Sequence, residues 1–338
     1  MSEKDDRRGT DRRAERGGGR GQRRGASPSR DERRDRRAAE AMAHVADMHD
    51  RFAAEIDRAV KATRFFDKAP VAKAPSRVVA PGVEDAAPAE ASVLPSVTVV
   101  GRDSVAAVIE NGRGIASACD LVVLDFASFT QPGGGYERGT VAQEQALCAE
   151  SFLYNVLSQY KGWYAENRRR NINCELYRDR ALVVPKVRFE RERYHSYADV
   201  IVAAAPNARR AKADYHVSDE VLERSMRARV RLVLAIADEL GHAKIVLGAF
   251  GCGVFGWDAA TVAEIFREEL AGGSHVATQV IFAVPEGRHD DHLARFQHAF
   301  ATFPEKNDAP FVTRPAAPVR PVKSAEDVEG EEDWRAYL

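Results

Sequence analysis

Nowhere in the chain do apolar residues run unbroken for the roughly 18–20 positions that a membrane-spanning helix needs. The N-terminus is hydrophilic and Arg-rich and lacks the apolar centre of a secretory signal, so a reducing cytoplasm is the expected compartment, with no membrane contact. Cysteine is scarce. Cys119, Cys148, Cys174 and Cys252 stand far apart, with no CxxC and no Cys/His cluster at metal-ligand spacing. A zinc site is therefore not expected, nor any cofactor. There is no GxxxxGK[ST], which excludes a P-loop nucleotide hydrolase. Net charge is also nearly absent. A value of −1 excludes a general polyanion-binding surface.

The charge that exists is unevenly placed. Residues 1–40 hold thirteen Arg and one Lys against nine acidic residues, a balance of +5, which leaves −6 for the remainder. Residues 1–37 contain almost no large apolar side chains and read as a disordered basic tail. Its RGGGRGQRRG stretch offers weak contact to nucleic acid or an acidic partner. From Ala38 to Phe66 the spacing of Met42, Val45, Met48, Phe52, Ile56 and Val60 predicts an amphipathic helix that needs a partner surface. A Pro-rich connection follows to residue 95, and a Pro-, Lys- and Glu-rich C-terminal tail of residues 303–338 is read as disordered.

Between these ends lies one domain, residues 96–302. Strands are expected at Val97–Val100, Leu121–Phe126, Leu182–Val187, Val200–Ala204, Lys244–Ala249 and Gln279–Val284. Helices are expected at Arg102–Asn111, Ala142–Gln159, Asp219–Glu239, Ala259–Leu270 and Asp290–Phe300. The alternation predicts an α/β fold with helices on both faces of a mixed central sheet, plus the N-terminal helical segment.

Two glycine-rich loops each follow a strand and precede a helix. The first is Pro132-Gly133-Gly134-Gly135, after a strand ending at Asp125. The second, Gly248 to Gly256, interleaves glycine with Phe250, Phe255 and Trp257. Without β-carbons the backbone can adopt positive φ and approach a ligand closely, and its N–H groups suit phosphate oxygens. Phe250 or Phe255 could offer an apolar face to a sugar or base. The first loop lacks both the GxGxxG spacing and the acidic residue on the next strand that dinucleotide redox enzymes use.

PGGGYERGTVAQEQALC resembles the signature of the poly(ADP-ribose) glycohydrolases, three glycines followed after several residues by Gln-Glu-Glu, and in particular the microbial branch with its macrodomain-like fold. LDFAS, ADVIVAAAPN and VLGAFGCGVFGWD agree, and the Ala38–Phe66 helix resembles that branch's N-terminal accessory region. The resemblance implies that Gly133, Gly134 and Gly135 line the diphosphate and distal ribose, and that Gly251, Cys252, Gly253, Val254 and Phe255 form the opposite wall. It sets Asp125 near the ligand and Gln143 and Glu144 as the first two members of the triplet. Ser128 stands where longer relatives carry a ribose-contacting Asn. The third member, expected to be the catalytic Glu, is Gln145 here.

Hydrolysis of an O-glycosidic ribose bond needs a proton for the leaving oxygen, and an amide has none to give. Either Glu144 takes the acid role, or the domain binds ADP-ribose or an ADP-ribosylated protein with little turnover. Glu137, inside the loop, is another carboxyl within reach. A glycohydrolase, a binding module for ADP-ribose or a related nucleotide, and unrelated nucleotide chemistry on the same fold stay open. His195 reads as a packed or surface residue, Cys148 and Cys252 as small residues and not nucleophiles, and the run Arg168–Arg170 as the solvated edge of a turn or a contact to a phosphorylated polymer.

Overall fold

The computed structural model describes residues 29–71, 94–287 and 290–312. The RG-rich stretch, most of the Pro-rich connection and most of the C-terminal tail lie outside them. Helix α1 spans Arg30–Ala62, starting eight residues before the apolar pattern does. Ser29 explains the early start. Its hydroxyl accepts from the Glu32 N–H while the Glu32 carboxylate accepts from the Ser29 N–H, a capping box that satisfies two otherwise orphaned donors. Asp31 and Glu32 add negative charge at the positive end of the helix. The first turns of α1 therefore fall within the stretch expected to be disordered.

The far end also differs from expectation. The helix stops at Ala62, and Arg64–Phe66 form strand β1 against β4 (Ala181–Arg191). A free ladder edge there offers the aromatic pair Phe65 and Phe66 a strand's hydrogen bonds, which outweighs the helical spacing. The other strands are β2 (Ser96–Val100), β3 (Leu121–Phe126), β5 (Tyr194–Ala203), β6 (Lys244–Leu247) and β7 (Gln279–Ala283). They form one seven-stranded sheet in the order β1-β4-β5-β3-β6-β7-β2. β1, β4 and β5 pair antiparallel, and β5, β3, β6, β7 and β2 run parallel. This is the expected mixed sheet.

Alternation along β3 builds the three layers. Val122 and Leu124 face a core shared with α7 (Asp219–Leu240), α8 (Ala259–Gly272) and α9 (His292–Phe300). Leu121 and Val123 face a second core made with α1, α2 (Ser104–Asn111), α3 (Gln143–Ala149) and α4 (Leu153–Leu157). Two helices absent from the sequence reading, α5 (Lys161–Arg170) and α6 (Ala208–Tyr215), complete the shell. The single helix expected over Ala142–Gln159 is instead broken between α3 and α4. Ser151 breaks it: its hydroxyl donates back to the Leu147 carbonyl and accepts from the Leu153 N–H, while its backbone bridges to Phe189. Among the described residues no helix is long and apolar enough to cross a membrane.

Helix α1 is stitched to the layer beneath it. Arg34 and Arg37 donate to the carbonyls of Arg138 (2.9 Å) and Gly139 (3.0 Å), His44 meets the Ser151 carbonyl (3.0 Å), and Asn155 donates to that of Val45 (2.8 Å). Ala41, Met48, Ile56 and Ala59 are buried. The helix thus reaches the loop that carries the glycines.

Candidate active site

Strand β3 is an apolar run that ends in an acid. Asp125 follows Leu121 and Val123 on the face toward α1 and α3, and it is fully buried with no hydrogen-bond partner for either carboxyl oxygen. Removal from water disfavours the carboxylate and pushes its pKa well up.

The chain then turns through Gly133, Gly134 and Gly135, at φ +61°, +56° and +89°. These are left-handed values that strain a residue with a β-carbon. Space forbids one as well. A β-carbon on Gly134 would collide with Nε2 of Gln145 and Oε2 of Glu144, and one on Gly133 would lie 2.6 Å from Cδ2 of Tyr154. The Gly134 N–H closes the turn onto the Gln131 carbonyl at 3.2 Å. The triple glycine is a tight roof over the start of α3.

Three consecutive side chains of α3 do three different things. Gln143 clamps the end of β3: its amide donates to the Ser104 hydroxyl (3.1 Å) and the Leu124 carbonyl (3.0 Å) and accepts from the Phe126 N–H (2.9 Å). Glu144 is buried, and its Oε2 accepts from the Ser128 N–H at 2.7 Å while Oε1 has no partner. Burial first, and then the negative charge of Asp125, hold its pKa well above the ordinary value. Gln145 donates to the Gly133 carbonyl at 2.8 Å and lines a cavity of about 230 Å³ that Arg37, Glu40 and His44 of α1 close from the other side. Residues 144 and 145 diverge as neighbours on a helix must, Glu144 toward Asp125 and Ser128, Gln145 toward α1.

The second loop leaves β6, the neighbour of β3 in the sheet, so both loops open at the carboxyl ends of adjacent parallel strands, where open α/β sheets place ligands. Gly251 takes φ +81°, and a β-carbon there would lie 2.9 Å from that of Ala205. Gly253 faces open space and Val254 is exposed, 67%. Phe250 cannot offer a face to a ligand, because it is fully buried against Phe126 with ring centroids 5.5 Å apart. Phe255 stays half-buried, edge-on to Tyr177. Cys252 is buried, and burial pushes its thiol pKa up, which suits the expected small packing residue.

Other expectations sort themselves by position. His195 lies at the start of β5, at the end of the strand opposite the glycine loops, exposed and hydrogen-bonded to the Gly114 carbonyl. Glu137 accepts from the Tyr154 hydroxyl and pairs with Arg138. The basic run closes α5, where Arg168 donates to the Thr130 carbonyl and so pins the glycine loop. Sequence reading missed Phe129 and Tyr177, whose rings stack at 4.5 Å between the two loops. No periodicity marks them, and only the tertiary fold brings 129, 177 and 255 together.

Residues 38–192 match the model of the microbial-type PARG catalytic domain. No curated protein matches the chain. Among solved structures, a poly(ADP-ribose) glycohydrolase from Thermomonospora curvata bound to the inhibitor ADP-HPD shares 29% identity at a TM-score of 0.62, covering 79% of this chain and 100% of that one. The enzyme from Deinococcus radiodurans in complex with ADP-ribose shares 26% identity at a TM-score of 0.57, covering 72% and 95%. By sequence pattern over residues 38–192 and by three-dimensional shape, this chain is similar to the microbial-type poly(ADP-ribose) glycohydrolases.

Proposed function

We propose that this chain hydrolyses O-glycosidic ADP-ribosyl linkages, with the buried carboxyl pair Asp125 and Glu144 supplying the chemistry that a glutamine at position 145 cannot. The observation that carries this reading is the state of that pair. Its two members are buried together, three of their four oxygens have no partner, and each pKa is raised. A carboxyl held protonated toward neutral pH is what a general acid requires.

Protonated Glu144 gives its proton to the leaving oxygen as the bond from the ribose anomeric carbon breaks. The remaining negative charge of the pair faces the oxocarbenium-like sugar. A water then bonds to that carbon and returns a proton to Glu144. The glycine roof at 133–135 and the loop Gly251–Phe255 flank the diphosphate, and Ser128 and Asp125 lie toward the ribose. Gln145 serves as a hydrogen-bonding neighbour. Gly134 covers Glu144 directly, so entry of substrate requires the roof to lift, a motion that three residues without side chains permit.

A second reading, an ADP-ribose-binding module with little turnover, draws on the amide at 145 itself. The discriminating experiment measures ADP-ribose release from an ADP-ribosylated substrate by wild type, Glu144→Gln and Gln145→Glu. Release by the wild type that falls on the order of 10²–10⁴-fold in Glu144→Gln is the expected result. Tight ADP-ribose binding without release, together with release gained in Gln145→Glu, makes the chain a binder.

A further inference from the structure

At the end of the central strands opposite the glycine loops, three side chains from distant parts of the chain converge. Cys119 precedes β3, Asp199 lies in β5, and His242 sits between α7 and β6. Each offers one donor atom, Sγ, a carboxylate oxygen and a ring nitrogen, and the three atoms lie within 4.8 Å of one another. The Asp199 carboxylate meets Nε2 of His242 at 2.9 Å through Oδ2 and the Cys119 sulfur at 3.8 Å through Oδ1. Tetrahedral zinc with bonds of about 2.0–2.3 Å holds its ligand atoms roughly 3.3–3.8 Å apart. Side-chain shifts of less than an ångström therefore suffice.

The carboxylate is also aimed. A β-bulge in β4, between Val184 and Val187, puts Lys186 at φ +53°, and its N–H donates to Oδ1 of Asp199 at 2.8 Å. A left-handed backbone at a residue with a long side chain is a cost, and bulges that re-aim a group belong to built sites. Metal ligands are oriented by this kind of outer hydrogen bond. The Cys119 sulfur has only long contacts, to the carbonyls of Tyr197 (3.6 Å) and Leu121 (3.7 Å) besides Asp199. Asp199 is buried, where a carboxylate needs compensating charge.

We infer that Cys119, Asp199 and His242 form a binding site for one divalent transition-metal ion of zinc-like character, with water as the fourth ligand. Thiolate, imidazole and carboxylate together suit that class and exclude magnesium and calcium, which prefer all-oxygen sites. On binding, Cys119 releases its proton to solvent as the metal–sulfur bond forms, and Nε2 of His242 gives up the hydrogen it donates to Asp199, the ring carrying its proton on Nδ1 instead, so that the Nε2 lone pair meets the ion. Because the thiol must lose its proton to bind, affinity rises with pH. The six residues of β3, about 20 Å of strand, separate this site from the glycine loops, and it joins segments 119, 199 and 242 as a staple. It was illegible in the sequence because its members are 80 and 43 residues apart.

The test uses the full-length protein, stripped with a chelator and titrated with Co²⁺ as a spectroscopic probe. A single equivalent is expected to bind, with a thiolate-to-cobalt charge-transfer band and the visible bands of a tetrahedral ion, displaced by Zn²⁺. Cys119→Ser abolishes the band, His242→Gln weakens binding by about tenfold or more, and Cys174→Ser, at an exposed cysteine, leaves it intact. In chelator, Cys119→Ser retains the wild-type circular dichroism and melting temperature, and Zn²⁺ raises the melting temperature of the wild type only. Absence of a cobalt band in the wild type, or a band that persists in Cys119→Ser, overturns the inference.

Discussion

At Gly134 a single hydrogen stands where any other residue would drive a methyl group into Glu144 and Gln145. Glu144 is buried and held by the Ser128 N–H, so it cannot swing aside at low cost, whereas Gln145 has the cavity beside it. Backbone strain at φ +56° adds to the clash. Gly134→Ala is therefore expected to lose about 1–3 kcal/mol of stability and most ADP-ribose affinity, read by chemical denaturation and calorimetric titration. Wild-type affinity in that variant would remove the roof from the binding surface. One helical step separates the roles at 144 and 145: the same change, Glu to Gln, is expected to cut ADP-ribose release by on the order of 10²–10⁴-fold at 144, whereas position 145 carries the amide already.

Helix α1 acts on the site as an element. Its hydrogen bonds to Arg138 and Gly139 hold the far end of the glycine loop, and a β-carbon at Gly139 would meet the Arg34 carbonyl. Met48 anchors the middle of the helix in the second core, near Phe152 and Leu153 in that cluster. Truncation to Met48→Ala is expected to cost about 2–5 kcal/mol in urea unfolding, the range for removing a buried side chain and leaving a cavity. Arg37→Ala removes only a tether, so it should leave the melting temperature within a few degrees while the kcat for ADP-ribose release falls and KM changes little. Equal loss of stability and rate in that variant would mean the arginine serves only packing. On the other side, Arg229 is fully buried in α7, where it pairs with Asp179 at 3.1 Å and donates to the carbonyls of Ala204, Tyr177 and Arg178. It fixes the segment that presents Tyr177 to Phe129 and Phe255. Arg229→Met is expected to destabilise by roughly 1–3 kcal/mol, because it leaves buried carbonyls without their donor, while the half-exposed Asp179 carboxylate is resolvated.

For the molecule as a whole, the buried acid pair couples folding to pH. Asp125 and Glu144 keep protons in the folded chain at pH values where the unfolded chain has released them. Between the ordinary carboxylate range, about pH 4, and the raised folded values, the native state binds more protons, so stability is fullest at the acidic end and falls as pH rises. Asp125→Asn removes one such group. Its melting temperature is expected to decline less steeply than that of the wild type between about pH 5 and pH 9. A steeper decline would show that the carboxyl is ionised and stabilised by a partner.

Local chemistry was legible in the residues themselves. The apolar runs of β3 and β6, the glycines after them, the triplet Gln143-Glu144-Gln145 and the alternation of strands and helices are short-range patterns, and they foretold the mixed three-layer sheet and the two loops at its edge. Ser29 was equally readable as a cap, yet the apolar spacing that defines a helical face begins only after it, and so the start of α1 was misplaced. What no pattern could carry was the meeting of distant groups. Asp125 becomes an acid with a raised pKa only when α1 and α3 exclude water from it, Arg64–Phe66 become a strand only because β4 has an open edge, and Phe129, Tyr177 and Phe255 meet only across the folded sheet. Propensity and spacing act over a few residues; burial, and the proton affinities that follow from it, belong to the packed whole.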